Sequence, residues 1–477
     1  MERLLQQPLR RRKAVAGLVA AGLSALLAAY YADSRVSSSS LDERTLFRHL
    51  LRRAGFGLAP NEVTTWQSLG WDNAVDRLVN YEQVANHDLE ALLAQYHFDL
   101  TTPNGIRLWW LVRMAYTARP LEEKMTLFWH GLLTSSLGKA TPSEMIRQNQ
   151  FFREHALDNY GVILKGISRD VAMMRWLDLA ENRVGHPNEN YARELMELFT
   201  MGPGHYTEVD VREAARAFTG LVLRKDGNDY VSAFVPSQHD RGSKTFLGRT
   251  GNFGPDDIVD IILEQPATAP FLATKLLRFF VTPTPSPELV ERIATTLQKT
   301  NYSIKAAVKD ILLLPEFREP SAYRSLIKSP VEYLVGAIRQ LGAHGNLQFA
   351  PQALKLMGQD LFAPPNVAGW PGGTSWLNSG TWLARLNAAN TLVTQRAMVQ
   401  FDFHSLLGDP LPQDPQGVVD RLAEVFVDGQ LADPQRQILY DHAGPAAAYH
   451  QSPDQWLDQQ GRSLVYLFLA LPEYHLN

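Results

Sequence analysis

Residues Pro187–Met201 read PNENYARELMELFTM and are followed by Gly202-Pro203-Gly204. When each residue advances by about 100°, Tyr191, Ala192, Leu195, Leu198 and Phe199 gather on one side. Taking Asn190 as zero, Glu194, Glu197, Arg193 and Glu189 fall at roughly 40°, −20°, −60° and −100°. The stretch therefore predicts an α-helix with one apolar side for a core and one side rich in carboxylates, stopped by the Gly-Pro-Gly break.

The same spacing recurs on both sides of this segment. It predicts helices at 41–53, 61–69, 71–79, 106–118, 121–133, 143–155 and 170–177 before it. After it come 207–223, with Thr207 and Asp210 placed as a capping box, then 256–263, 268–280, 287–299, 304–313, 330–341 and 381–398. Strand signals are sparse. Tyr230–Val235 alternates behind Gly227-Asn228-Asp229, which predicts one small hairpin. Gln238–Pro255 and Leu361–Ser379 are rich in Gly and read as long loops, the second ordered by Trp370 and Trp376. The fold expected is mainly α: a large irregular multi-helix domain with one small β-hairpin and long ordered loops.

The N-terminus has a different character. Arg10, Arg11, Arg12 and Lys13 precede an uncharged run, Ala14–Ala32, nearly long enough as a helix to span a bilayer core. Residues 1–32 therefore read as a signal peptide or N-terminal membrane anchor, and 33–40, with RVSSSS, as a linker. The body beyond is expected outside the cytoplasmic membrane, periplasmic or extracellular. Within it, 41–405 reads as a helical core. Residues 406–477 read as a C-terminal helical extension packed on that core, after a boundary rich in Pro and Asp.

Composition excludes more than it assigns. The 477 residues contain no Cys, so thiolate metal sites, Cys nucleophiles and iron–sulfur clusters are out. A net charge of −4 gives no electrostatic case for nucleic acid. No HExxH, GxSxG, P-loop or GxGxxG string is present.

Several strings, taken together and in order, carry a resemblance. They are HLLRRAGFG at 49–57, MTLFWHGLLTSS at 125–136, NENYARELMELFTMG at 188–202, AARAFTGL at 214–221, HDRGSKTFLG at 239–248 and PPNVAGWPGGTSWL at 364–377. The chain resembles the bacterial family called domain of unknown function 1800. The resemblance implies an exported, largely helical protein, often encoded beside a member of family 1501, which looks like an exported phosphatase or sulfatase relative. It implies no established activity.

The ionisable residues in these strings are the candidate chemistry. Glu194 and Glu197, with His130, His239 and Asp240, are the candidate catalytic set. Glu194, Glu197 and His239 are the candidate ligands of a divalent metal ion. Asn190, Arg193, Lys244, Asn366 and Trp370 are further polar or stacking candidates. Converging on one pocket, they would make a metal-assisted hydrolase acting on an extracellular polymer or its fragments. The alternative is a non-catalytic partner or scaffold for a co-exported phosphatase- or sulfatase-like protein. In that case the carboxylate face is solvated and stitched by Glu189–Arg193 and Arg193–Glu197 pairs, and His130 is a core histidine. The enzyme reading expects the carboxylate face to turn inward, toward the segments holding His130 and His239.

Overall fold

The computed structural model describes residues 41–477. The stretch 1–32, expected to be a signal peptide or membrane anchor, and the 33–40 linker lie outside the described residues. The described chain is mainly α-helical, and among its residues no helix is long and apolar enough to cross a membrane.

Local chemistry sets most helix starts. Asp42 accepts a hydrogen bond from the Thr45 backbone N–H at 2.8 Å and opens Glu43–Arg53. Capping boxes open Pro142–Glu154 (Thr141 with Glu144), Glu208–Phe218 (Thr207 with Asp210) and Pro330–Leu341 (Ser329 with Glu332). In each, a hydroxyl and a carboxylate satisfy otherwise orphaned N–H groups.

The β content departs from the single hairpin expected: the described residues form three two-stranded antiparallel sheets. β1 (Leu221–Asp226) pairs with β2 (Asp229–Phe234), β3 (Lys244–Phe246) with β4 (Arg249–Gly251), and β5 (His344–Gly345) with β6 (Val399–Gln400). The helix expected over 207–223 ends at Phe218, because Gly220 takes φ +91° and turns the chain into β1. A Cβ there would lie 3.0 Å from that of His239, so glycine permits both the turn and the close packing.

A second departure concerns the segment quoted first. Only Asn190–Glu194 is α-helical; Leu195–Thr200 widens into a π-helix. The wider turn changes the angle per residue, so the helical-wheel positions beyond Glu194 no longer hold.

Packing forms two large apolar clusters and one small one. The first runs from Phe47 to Ala322 and includes Trp129, Tyr160, Phe199 and Phe280. The second joins Trp110, Tyr333 and Phe362 to Val418, Phe426, Phe468 and Tyr474 from the last seventy or so residues. The third gathers Trp376, Trp382 and Leu476, with Trp370 against it. The Pro120–Leu132 helix serves the first two, sending Met125 and Trp129 into one and Leu127 into the other.

Candidate functional site

The carboxylate face of Asn190–Thr200 is not an inward site. Arg193 makes a two-pronged pair with Glu208, both contacts at 2.7 Å, and reaches Glu189 at 3.2 Å. These side chains are a third exposed or more, so the pairing contributes little. Glu197 accepts a hydrogen bond from the Tyr206 hydroxyl at 2.7 Å. Glu194 is half-buried without a hydrogen-bond or ion-pair partner among the described residues. Burial, and then the neighbouring Glu197, raise its carboxyl above the usual range. Asn190 starts the helix, its N–H bonded to the Asn188 side chain at 3.0 Å.

His130 lies elsewhere, 1% exposed. Its Nε2 accepts the Phe362 backbone N–H at 3.1 Å, and its ring packs among Trp110, Phe362 and Trp370. Burial pushes its pKa down to about 3, so it is a neutral acceptor that holds a loop. His239 and Asp240 form a third place. His239 Nδ1 donates to the Thr219 carbonyl at 2.9 Å. Asp240 takes Arg216 through two contacts, at 2.7 and 3.1 Å, and that pairing holds its carboxyl low. Lys244 donates to the Asp240 and Gly242 carbonyls. These residues lock the loop that leads into β3.

No hydrogen bond or ion pair joins Glu194 or Glu197 to His130, His239 or Asp240. Among the described residues no group of three or more His, Cys, Asp or Glu could hold a metal ion. The metal set Glu194, Glu197 and His239 is therefore not assembled. Glu197 is engaged by Tyr206, His130 by the Phe362 backbone, and His239 by the Thr219 carbonyl, so these groups do not turn toward one another.

What does converge is a cleft of about 510 Å³ that the sequence did not single out. One wall is the loop at 364–376. Asn366 folds it by accepting the Ala368 N–H at 2.9 Å, and Thr134 ties it down by donating to the Val367 carbonyl at 2.6 Å. Gly369 rests so close to the Gly131 carbonyl that a Cβ would come within 2.5 Å of its oxygen. This docking presents half-buried Trp370 to the cleft, beside the edge of buried Trp376. The opposite wall is the Thr268–Phe280 helix, with Lys275, Arg278 and Phe279. The floor includes Glu332 and Gln359, and both are engaged. Glu332 pairs with Lys124 and accepts the Ser329 N–H at 2.7 Å; Gln359 accepts the Val331 N–H at 3.0 Å.

The model of a family described as a protein of unknown function (DUF1800) matches residues 49–476. The chain belongs to this family. No curated protein and no solved structure matches it.

Three of the strings that carry the DUF1800 resemblance meet at the cleft. Leu127, Phe128, Gly131 and Leu132 come from the first, Leu198 from the second, and Ala368 to Trp376 from the third. Lys275 and Arg278 lie outside every quoted string. Their helix, TAPFLATKLLRFF, contains no acidic residue, and neither cation has an ion pair among the described residues. Burial, and then Arg278, lower the Lys275 ammonium. Two cations on an apolar helix with no acid one turn away was the available sequence signal. A second hollow of about 640 Å³, lined by Gly202, Pro203, His205 and Phe271, shares the same two cations.

Proposed function

We propose that this DUF1800 protein binds an acidic polysaccharide outside the cytoplasmic membrane, with the chain running along the cleft between Trp370 and the Thr268–Phe280 helix. The observation that carries this reading is the pair Lys275 and Arg278, cations without an ion pair among the described residues, lining a cleft that half-buried Trp370 also lines. Aromatic faces stack on the apolar faces of sugar rings, and the cations supply the charge complement for carboxylate or sulfate groups. The adjoining hollow extends the path past the same cations, as a polymer requires. Export is supported by Arg10–Lys13 before the apolar run Ala14–Ala32.

Metal-assisted hydrolysis of the polymer is the weaker reading. Among the described residues the one carboxylate side chain at the cleft, Glu332, is held by Lys124 and Ser329 and is not free to act as a base. Partnership with a co-exported phosphatase- or sulfatase-like protein draws on β2, where Tyr230, Val231 and Phe234 stand exposed.

Tryptophan fluorescence titration with polygalacturonate, with neutral dextran as counter-ligand, tests the binding. The acidic polymer should bind more weakly as salt rises. The Lys275→Ala/Arg278→Ala double variant should bind it about tenfold or more weakly, since each charged hydrogen bond contributes about 1.5–3 kcal/mol. Equal binding of dextran, or unchanged affinity in the double variant, would overturn the reading.

A further inference from the structure

Far along the chain from that cleft, the first described helix carries a stripe of arginines. Arg44, Arg48 and Arg52 are spaced by four, so they lie one above another on the Glu43–Arg53 helix. Together with Arg421 and Asp428 they line a small cavity of about 70 Å³. A water needs about 10–15 Å³ on this measure, so the space holds several waters or one tetrahedral oxyanion.

The charges in the wall do not balance. Among the described residues Asp428 is the only acidic one lining the cavity, and it is already shared. Arg52 contacts it at 2.8 Å, Tyr323 donates to it at 2.7 Å, and Arg324 and Arg48 stand at 3.9 and 4.0 Å. Arg421 pairs with Glu424. Arg44 has no hydrogen bond or ion pair among the described residues, and its buried Nε is unpartnered. Arg52 is 7% exposed, yet its Nε and Nη2 also lack acceptors. Arg48, 8% exposed, has only the long contact to Asp428. Buried guanidinium N–H groups without acceptors cost free energy, and a protein places them where an acceptor arrives. The planar fork of arginine suits the oxygens of phosphate or sulfate.

We infer that the cavity between the Glu43–Arg53 helix and the start of the chain turn at Asp428 is a binding site for a free tetrahedral oxyanion, phosphate or sulfate, held by Arg44, Arg48, Arg52 and Arg421. The anion joins the N-terminal helix to the Pro415–Val427 helix near the C-terminal end of the described chain, so its occupancy controls how firmly the two are coupled. The small volume admits the free ion and not a sugar or lipid bearing it.

The full chain is titrated calorimetrically with inorganic phosphate and, separately, with sulfate, and its Tm is followed with each against chloride at matched ionic strength. Arg48 and Arg52 are buried, so the test variants are the half-buried positions, Arg44→Gln and Arg421→Gln. The expected result is one ion per chain, a Tm rise that saturates, and affinity at least about tenfold weaker in each variant. Both anions also stabilise proteins non-specifically by exclusion from the surface, an effect that does not saturate and that the variants retain. A Tm rise equal in wild type and variants, or no calorimetric binding of either anion, would overturn the site. If only one of the two anions binds, the site stands and its occupant is identified.

Discussion

Two pairs of glutamates show what sequence density does and does not say about chemistry. Glu194 and Glu197 sit in a string rich in carboxylates, and Glu122 and Glu123 sit at the start of a helix that is mostly apolar after Lys124. The first pair is half-exposed and serves a hydroxyl or nothing. The second is buried and electrically consequential. Glu123 is fully buried, accepting Arg153 at 2.6 and 3.0 Å, Trp110 Nε1 at 2.9 Å and Arg113 at 3.4 Å. Burial works against its ionisation, but Arg153 and Arg113 outweigh it and hold the carboxyl low. Glu122, beside it, is pushed from 4.5 up to about 7 by burial and then by Glu123, which Arg119 at 3.6 Å offsets only in part. Burial and partners, not the number of ionisable groups in a string, set how strongly a carboxylate is perturbed.

The sharpest way to break that contrast is to remove Glu123. Glu123→Ala leaves buried Arg153 without its carboxylate, leaves Arg113 only Glu90, and takes the acceptor from Trp110. A loss of about 3–5 kcal/mol is expected, read as a fall in the urea midpoint. A loss within about 0.5 kcal/mol, the range of exposed sites, would erase the distinction between the two pairs.

Next in size is a pH effect at Glu122. Its folded pKa lies above its unfolded one. Below about pH 4.5 both states are protonated and there is no penalty. As pH rises from 4.5 to about 7 the folded state resists ionisation, so stability falls, and the fall levels off above that. Glu122→Gln removes the fall. Its Tm should exceed that of the wild type near pH 8 by the equivalent of up to about 3 kcal/mol and match it near pH 4. A constant difference across that range would show that folding does not shift the Glu122 pKa.

The fold was legible because its signals are local. Amphipathic spacing and hydroxyl–carboxylate caps mark most helices without reference to the rest of the chain, as at Thr207 and Asp210. Gly227 at φ +58° made the β1–β2 turn legible in the same way. β3 and β4 have three residues each within a Gly-rich stretch, too short for alternation to register. The π-turn at Leu195–Thr200 was invisible because the same apolar residues satisfy either helix. The site was less legible. Trp370, a stacking candidate in the sequence, lines the cleft. His130, a catalytic candidate in the sequence, packs against Trp370 as a neutral acceptor. Lys275 and Arg278 carried only a weak signal, the absence of an acid on their own helix, and their place in the cleft lining comes from the packing.

Within the exposed pair, Glu197 should matter more than Glu194. Glu197→Ala removes the acceptor of the Tyr206 hydroxyl, which burial, and then that contact, hold in its protonated form. One partly buried hydrogen bond to a charged acceptor is expected to cost about 1 kcal/mol. Glu197→Gln keeps an acceptor in place and should recover part of it in the same urea titration.

The smallest effect, and the one that most directly tests the outward reading of this face, is Glu194→Gln. If Glu194 were a buried metal ligand or general base, neutralising it would remove a required charge and destabilise the site. The structure gives it neither hydrogen bond nor ion pair, and burial with Glu197 nearby raises its pKa. A raised carboxyl pKa means that ionisation is disfavoured in the folded state, so the neutral amide should be tolerated or slightly stabilising at neutral pH. The gain should stay within about 0.5 kcal/mol and vanish as pH falls below the ordinary carboxyl range, where wild-type Glu194 is itself neutral. Thermal melts of both proteins near pH 7 and pH 4 check the size and the sign together. A clear loss at pH 7 would mean that Glu194 holds a charged partner and would return the polar face of Asn190–Thr200 to the site.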